Sequence, residues 1–231
     1  MHGKFSLFRI TMKTMDRPIS EHTIVVVDLE TTGISAFDRV CEIGMTKVEY
    51  DEITDRFETL INPGVSINNT IFHGIEDWMV QDAPRFKNIA HEIVDFMNDS
   101  ILVAHNAPFD MRFLRYELQR LDTDLSHQAL CTLKLARKMH PDFPAHKLDY
   151  VLSEYDIVNE HHHRASADAV SCARLFLQMN RRLEAEGKNT MESLKRWGLP
   201  YDHQWCHETV VPENTAHCSV LTRDDVISPT H

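Results

Sequence analysis

The sequence predicts an α/β fold in which a mixed sheet of five strands is flanked by helices. Three apolar segments follow one another closely between residues 23 and 61, and strands spaced in this way pair as an antiparallel meander. From residue 84 onward, helix and strand patterns alternate, which indicates a parallel portion of the same sheet. The 231 residues, of which 42% are hydrophobic, suffice for one packed domain with appendages.

The first three strands are predicted at residues 23–29, 40–50 and 57–61. The first is apolar up to its end, which is typical of a strand buried on both faces, whereas the second has one polar face. Asp51 and Glu52 mark a turn between the second and third strands. The third strand ends at Asn62-Pro63-Gly64, a strong turn sequence.

Helices and two further strands follow. A short helical stretch is predicted at residues 75–80, and a longer helix beginning at Pro84 has apolar residues at helical spacing through Met97. The remaining predictions are strands at residues 101–104 and 130–132 and helices at residues 110–121, 133–139, 148–155 and 165–186. Because Gly187 and Lys188 end the last helix, we expect a tail at residues 1–20, one domain at 21–187 and an extension at 188–231.

Composition and charge restrict the class of protein. Residues 1–20 contain no apolar stretch suited to a signal peptide or a membrane helix, so we expect a cytoplasmic protein that does not bind membranes. The net charge of -11 argues against a free-standing, tight nucleic-acid binder. Residues 21–100 hold 16 acids and five bases, but residues 101–200 hold 13 acids and 14 bases, so the second half could face phosphates.

Two carboxylates stand at the end of the first strand. Side chains alternate along a strand, so Asp28 and Glu30 point to the same face, where two negative charges repel unless a proton or a cation neutralises them. Asp110 and Asp168 each stand near a predicted helix start, where a carboxylate also serves as a cap or interacts with the helix dipole. Each of these acids taken alone therefore has a purely structural interpretation.

Taken together, these segments resemble the three motifs of the DnaQ-like (DEDDh) 3'-to-5' exonucleases. Asp28-Leu29-Glu30-Thr31-Thr32-Gly33 is similar to the first motif, residues 105–110 to the second and residues 163–168 to the third. Further similarity lies in Phe72-His73-Gly74-Ile75 and in residues 131–137 and 146–149. Among members of this family, the sequence most resembles the proofreading exonucleases of bacterial replicative polymerases.

The resemblance implies a ribonuclease H-like fold and a metal-dependent reaction. It implies that Asp28, Glu30, Asp110 and Asp168 hold two divalent cations, Mg²⁺ or Mn²⁺, and hard oxygen ligands suit such cations. It implies His163 as the general base, since an imidazole can accept a proton at neutral pH. The expected substrate is DNA, and the expected reaction is hydrolysis of its terminal phosphodiester, which releases 5'-mononucleotides from a 3' end.

Candidate substrate residues also follow from the resemblance. Thr31, Thr32 and Gly33 are expected to contact the terminal nucleotide, Phe109 to support its base and His73 to contribute to the same site. Structural interpretations remain open: the threonines and glycine form a turn, Phe109 lies in the core and His73 begins a helix. His105 is predicted to be structural, and His161 and His162 to be solvated loop residues. Exposed bases could contact phosphates, namely Arg112, Arg115, Lys134, Arg137, Lys138 and Arg164.

Two alternatives remain open at this point. An exoribonuclease of the same fold would share all five catalytic residues, and an inactive module that binds nucleic acid or a polymerase would be indicated by a lost acid or histidine. A polymerase or another replication or repair protein is a possible partner. The cysteines and histidines of the extension (His203, Cys206, His207, His217 and Cys218) have no familiar zinc-finger spacing, so we expect an interaction tail or a cap instead.

Overall fold

The computed structural model describes residues 16–159 and 163–197, together with the backbone of residues 200–201. The strands are β1 (Thr23–Thr31), β2 (Val40–Glu49), β3 (Glu52–Leu60), β4 (Ser100–Ala104), β5 (Ala129–Cys131) and β6 (Pro200–Tyr201). The helices are α1 (Thr70–His73), α2 (Phe86–Met97), α3 (Ala107–Gln119), α4 (Thr132–Met139), α5 (Leu148–Glu154), α6 (Ala165–Ala185) and α7 (Met191–Arg196). In this part of the chain, no helix combines the length and apolarity needed to cross a bilayer.

The strands form one mixed sheet in the order β3-β2-β1-β4-β5-β6. The pairs β1/β2 and β2/β3 are antiparallel, whereas β1/β4 and β4/β5 are parallel, so the predicted mixed sheet of five strands is confirmed. The two-residue strand β6 is an addition from the segment predicted to be an extension, and it pairs with β5. Strand β1 is central, and its two faces are covered by different helices.

The alternation of β1 divides the core into two clusters. Val25, Val27 and Leu29 pack with α2 and α3, whereas Ile24 and Val26 pack with α4, α5, α6 and α7. The second cluster also contains residues beyond the domain bounds predicted at 21 and 187: Ile19, Met191 and Leu194 are each 1% exposed or less. Those bounds stay predictions, but the described residues outside them contribute to the same core.

Several element boundaries differ from the predictions. The helix predicted at residues 75–80 is wrong: α1 ends before Gly74, which is left-handed (φ 68°), and only a 3-10 turn follows at Asp77–Met79. Strand β3 begins at Glu52, five residues early, because its exposed polar residues still pair with β2. Helix α3 begins at Ala107, ahead of the predicted Asp110, since Asn106 turns the chain at φ 75° and Pro108 suits the first helical turn.

Candidate active site

Strand β1 presents Asp28 and Glu30 on the face that α6 covers. In the antiparallel register with β2, Asp28 lies opposite Gly44 and Glu30 opposite Glu42, and opposite residues share a face of the sheet. Asp28 is 8% exposed and Glu30 is fully buried. The predicted pair of carboxylates therefore occupies the buried end of a central strand, where repulsion between them is least screened.

Helix α6 brings a third carboxylate to this pair. A Cβ atom at Gly44 would overlap the backbone of Ala165 and Ser166, so only glycine lets the helix start this close to β2. Asp168 lies one turn into α6, and one oxygen each from Asp28, Glu30 and Asp168 lie within 4.8 Å of one another. All three residues are buried.

Two contacts orient Asp168. The Asn159 amide donates to its Oδ1 at 2.5 Å, and the backbone N–H of His163 donates to its Oδ2 at 3.2 Å. Burial raises the pKa of Asp168 above its ordinary value and the negative charge of Asp149 adds to this, although the Asn159 hydrogen bond opposes both. Asp168 would therefore need a positive charge nearby to be ionised to the same extent as a free aspartate at the same pH.

The fourth acid, Asp110, approaches from the other side of the sheet. It lies in the first turn of α3, and its Oδ1 accepts a hydrogen bond from the Leu29 N–H at 3.1 Å. This bond ties the motif on α3 directly to the strand that carries Asp28 and Glu30. Asp110 is 2% exposed, so it also presents its charge in a buried setting.

Asp28, Asp110, Asp168 and His163 line one open cavity of about 360 Å³. His163 is exposed and has a positive φ of 62°, which is uncommon for a residue other than glycine. The other lining residues are Phe72, His105, Asn106, Phe109, Leu133, Lys147, Leu148 and Asp149. The cavity thus combines carboxylates, one exposed imidazole and aromatic walls.

The predicted substrate residues occupy different settings. The hydroxyl of Thr31 donates to the Gly33 carbonyl at 2.7 Å, and that of Thr32 donates to Asp38 at 2.9 Å. Burial raises the pKa of Asp38, but hydrogen bonds from Ser35 and Thr32 outweigh it, so the net pKa is lowered and the turn keeps a charged carboxylate. A Cβ at Gly33 would lie 2.6 Å from that carboxylate. Thr31 ends β1 and Thr32 and Gly33 begin the turn, and a contact of these three residues with substrate stays a prediction.

His73 and Phe109 differ in their access to the cavity. Phe109 lines it and packs against Phe113 with ring centroids 5.0 Å apart. His73 is 5% exposed; its Nε2 lies 3.2 Å from the Thr31 carbonyl, and its Nδ1 accepts from the Ile75 N–H at 3.0 Å. His73 therefore links α1 to the end of β1, while the neighbouring Phe72 reaches the cavity.

His105 lines the cavity but has a structural set of hydrogen bonds. Its Nδ1 lies 2.9 Å from the Thr132 hydroxyl, and its Nε2 lies 2.9 Å from the His146 carbonyl. Burial lowers the pKa of His105 to about 4, so its imidazole is neutral at physiological pH. The neutral ring joins β4 to the segment that precedes α5.

The structure gives three of the predicted phosphate-binding bases other surroundings. Arg112 donates to the Ile34 carbonyl at 3.0 Å and lies over the rings of Phe109 and Phe113. Arg115 is 8% exposed, and Arg164 forms an ion pair with Glu42. None of the six predicted bases is among the described residues that line the cavity.

Sequence reasoning gave no role to three polar residues of the site. Lys147 and Asp149 line the cavity from the start of α5, and Asn159 is buried against Asp168. The segment containing Lys147 and Asp149 was noticed for its family resemblance, which could have signalled a function. Asn159 carries no such signal, because only the fold brings it into contact with Asp168, which stands nine residues later in the sequence. His161, His162 and the extension's cysteines and histidines lie outside the described residues.

The donor set of this site fits divalent cations. Three buried carboxylates that share a space within 4.8 Å repel one another, and oxygen donors without sulfur are those that hard cations prefer. Asp110 is held beside them through the Leu29 N–H. Three of the four acids expected from the sequence thus lie together and Asp110 is tied to the same strand, while their role as cation ligands stays a prediction.

Comparison with known proteins agrees with this geometry. The exonuclease family matches residues 25–176. The PolC-type DNA polymerase III of Caldanaerobacter subterraneus subsp. tengcongensis is 35% identical over 177 residues, which are 75% of this chain but only 13% of that relative. Two examples illustrate the solved structures that share the fold. Exonuclease X in complex with 5' overhanging duplex DNA has a TM-score of 0.60 and 24% identity, and covers 74% of this chain and 98% of its own.

The second structure is the nuclease domain of 3'hExo, a DEDDh family member bound to rAMP. Its TM-score is 0.62 with 16% identity, and the match covers 74% of this chain and 95% of that one. The expected exonuclease family and the ribonuclease H-like α/β fold are therefore confirmed. The chain belongs to the exonuclease family.

Proposed function

We propose that this exonuclease domain removes nucleotides from the 3' end of DNA, releasing 5'-mononucleotides, with His163 as the general base. The observation that carries the proposal is the cavity in which buried Asp28, Asp110 and Asp168 meet the exposed imidazole of His163. The carboxylates supply cation ligands, and the imidazole supplies a proton acceptor beside them. A terminal phosphodiester placed in this cavity would meet both groups at once.

The roles of the individual side chains follow from their surroundings. Asp28, Glu30, Asp110 and Asp168 would hold two divalent cations, of which Mg²⁺ and Mn²⁺ suit the oxygen donors best. When bound, such ions stabilise the charge on the attacking and leaving oxygens of an in-line displacement. His163 accepts the proton of the attacking water, and Phe109 and Phe72 provide apolar walls for the terminal base.

Lys147 is the additional substrate residue in this proposal. It is the single lysine or arginine among the described residues that line the cavity, and it is exposed there. Its backbone carbonyl accepts from the Val151 N–H at 3.0 Å, while the adjacent His146 is held by His105. The ammonium group therefore extends from an anchored backbone toward a space where a phosphate would lie.

For Lys147→Ala, we expect KM for a DNA oligonucleotide to rise about tenfold with little change in kcat. The expected loss corresponds to one charge-assisted contact made equally in the ground and transition states. Steady-state kinetics at two salt concentrations measure it. Lys87→Ala, which removes an exposed lysine of α2 outside the cavity, is the matched control. An unchanged KM in Lys147→Ala would remove Lys147 from the substrate site.

The direct test is degradation of 5'-labelled and 3'-labelled single-stranded DNA, with RNA of the same sequence and with metal-free controls in EDTA. We expect the 3' label to leave at once as a mononucleotide, the 5'-labelled strand to shorten stepwise, and both to require Mg²⁺ or Mn²⁺. Faster turnover of RNA would favour the exoribonuclease alternative. Release of the 5' label first would contradict the polarity, and metal binding without any turnover would favour the inactive-module alternative.

A polymerase partner and a cytoplasmic location belong to this proposal as well. The relative described above is a polymerase named PolC-type DNA polymerase III, and this chain matches 13% of it. Because the net charge of -11 disfavours tight binding to DNA by the chain itself, a partner that holds the primer end would supply the missing affinity. Exonuclease rates measured with and without a replicative polymerase on a primed template test this part.

A further inference from the structure

Glu42 is a buried carboxylate that lies next to the site without lining its cavity. It stands on β2 directly opposite Glu30, and it is 4% exposed. A carboxylate buried to this degree remains charged only if hydrogen bonds or opposite charges replace the water it has lost. Its partners therefore indicate what the side chain does.

The partners of Glu42 are the two residues that follow His163. Arg164 donates to Glu42 Oε1 from Nη2 at 2.6 Å and from Nε at 3.0 Å. The backbone N–H of Ala165, the first residue of α6, donates to Oε2 at 2.9 Å. The Glu42 carboxylate thus holds the side chain of Arg164 and the backbone of Ala165. These two residues connect His163 to α6, the helix that carries Asp168.

His163 needs such an anchor because its backbone is left-handed (φ 62°). A residue other than glycine adopts this conformation only when its surroundings impose it. On one side, the His163 N–H donates to Asp168; on the other, the next two residues are held by Glu42. The imidazole is therefore presented to the cavity by a backbone fixed at both ends.

We propose that Glu42 is a positioning residue, which sets the place of His163 through Arg164 and Ala165. The inference rests on the proposed function, because that function makes His163 the general base. It also gives Arg164 a role that differs from phosphate binding: its guanidinium neutralises Glu42. The side chain of Arg164 is 47% exposed and that of Glu42 is 5% exposed. Water can therefore solvate the guanidinium if the ion pair is lost, whereas the Glu42 carboxylate would be left buried without an opposite charge.

Glu42→Gln tests the proposal because it keeps the shape and removes the charge. We expect kcat to fall about 10- to 100-fold, the range found when a residue supporting a catalytic site is replaced, with KM changed less than about threefold. The matched control is Glu117→Gln. Glu117 is also buried, and it accepts hydrogen bonds from Arg39 Nε at 2.6 Å, Arg39 Nη2 at 2.7 Å and the Val40 N–H at 3.3 Å. These partners lie far along the chain from His163, Arg164 and Ala165.

A double-mutant cycle separates positioning from a general loss of stability. If Glu42 acts through His163, Glu42→Gln lowers kcat much less in a His163→Asn background than in the wild-type chain. If the two effects on kcat simply multiply, or if Glu117→Gln lowers kcat as much as Glu42→Gln does, the inference is overturned. If Glu42→Gln fails to fold, Arg164→Gln replaces it in the same double-mutant cycle. We then expect a smaller fall in kcat, which again shrinks in the His163→Asn background.

These outcomes are distinct from failure of the proposed function. A wild-type chain that degrades neither DNA nor RNA with metal present contradicts the proposed function itself. A wild-type chain that is active, together with a Glu42→Gln variant of equal kcat, contradicts only the role of Glu42.

Discussion

Asp28→Ala is expected to abolish turnover while leaving the protein folded. One oxygen of Asp28 lies within 4.8 Å of an oxygen of Glu30 and of Asp168, so its removal would take one carboxylate ligand from the proposed cation site. We expect kcat to fall at least about 10³-fold, which is about 4 kcal/mol of transition-state stabilisation. Titration calorimetry with Mn²⁺ should show weaker binding or one site fewer.

The same substitution relieves repulsion among three buried carboxylates, so we expect the melting temperature without metal to stay the same or rise. Addition of Mn²⁺ should raise the melting temperature of the wild-type chain more than that of Asp28→Ala, because a ligand that binds only the folded state stabilises it. Asp82→Ala, which removes an exposed acid outside the cavity, is the control. Wild-type turnover by Asp28→Ala would exclude the assigned site.

His163→Asn is expected to lower kcat about 10²- to 10⁴-fold, the usual contribution of a general base. Asparagine is the better replacement than alanine here, because it tolerates the positive φ of 62° and so changes the chemistry without straining the loop. Rate measurements at saturating DNA give kcat.

Metal binding distinguishes this variant from the previous one. His163 is exposed, and its side chain is separate from the three grouped carboxylates, so calorimetry should give His163→Asn the wild-type stoichiometry for Mn²⁺. His91→Ala, at an exposed histidine of α2 that pairs with Asp95, controls for loss of an imidazole elsewhere. Loss of Mn²⁺ binding in His163→Asn would make the residue a ligand, and an unchanged kcat would exclude it as the base.

The local pattern of the chain was sufficient to predict the elements that hold the site. Alternation along β1 places Asp28 and Glu30 on one face, and helical starts place Asp110 and Asp168 in first turns, as the structure shows. These features depend on periodicity and on caps, which act over a few residues. The prediction of a helix at residues 75–80 was wrong for an equally local reason. Gly74 takes a left-handed conformation, which ends α1 at His73.

Other features depend on contacts between distant parts of the chain. Arg164 was predicted to contact phosphate, yet its partner Glu42 lies 122 residues earlier in the sequence. Lys147 reaches the cavity because His105, 41 residues before His146, holds the backbone beside it. Gly44 is required only because α6 begins directly above it. No local pattern identifies these partners.

The sequence by itself determined the fold class, because strand alternation and helical periodicity are properties of neighbouring residues, and its resemblance to a family singled out the four acids and His163 as candidates. The tertiary structure alone decided which charges lie together and which are neutralised. Sheet register and helix placement set distances between residues far apart in the chain, and electrostatic interaction depends on those distances and on burial. For this reason Glu42 became visible only once β2 and α6 were seen in contact.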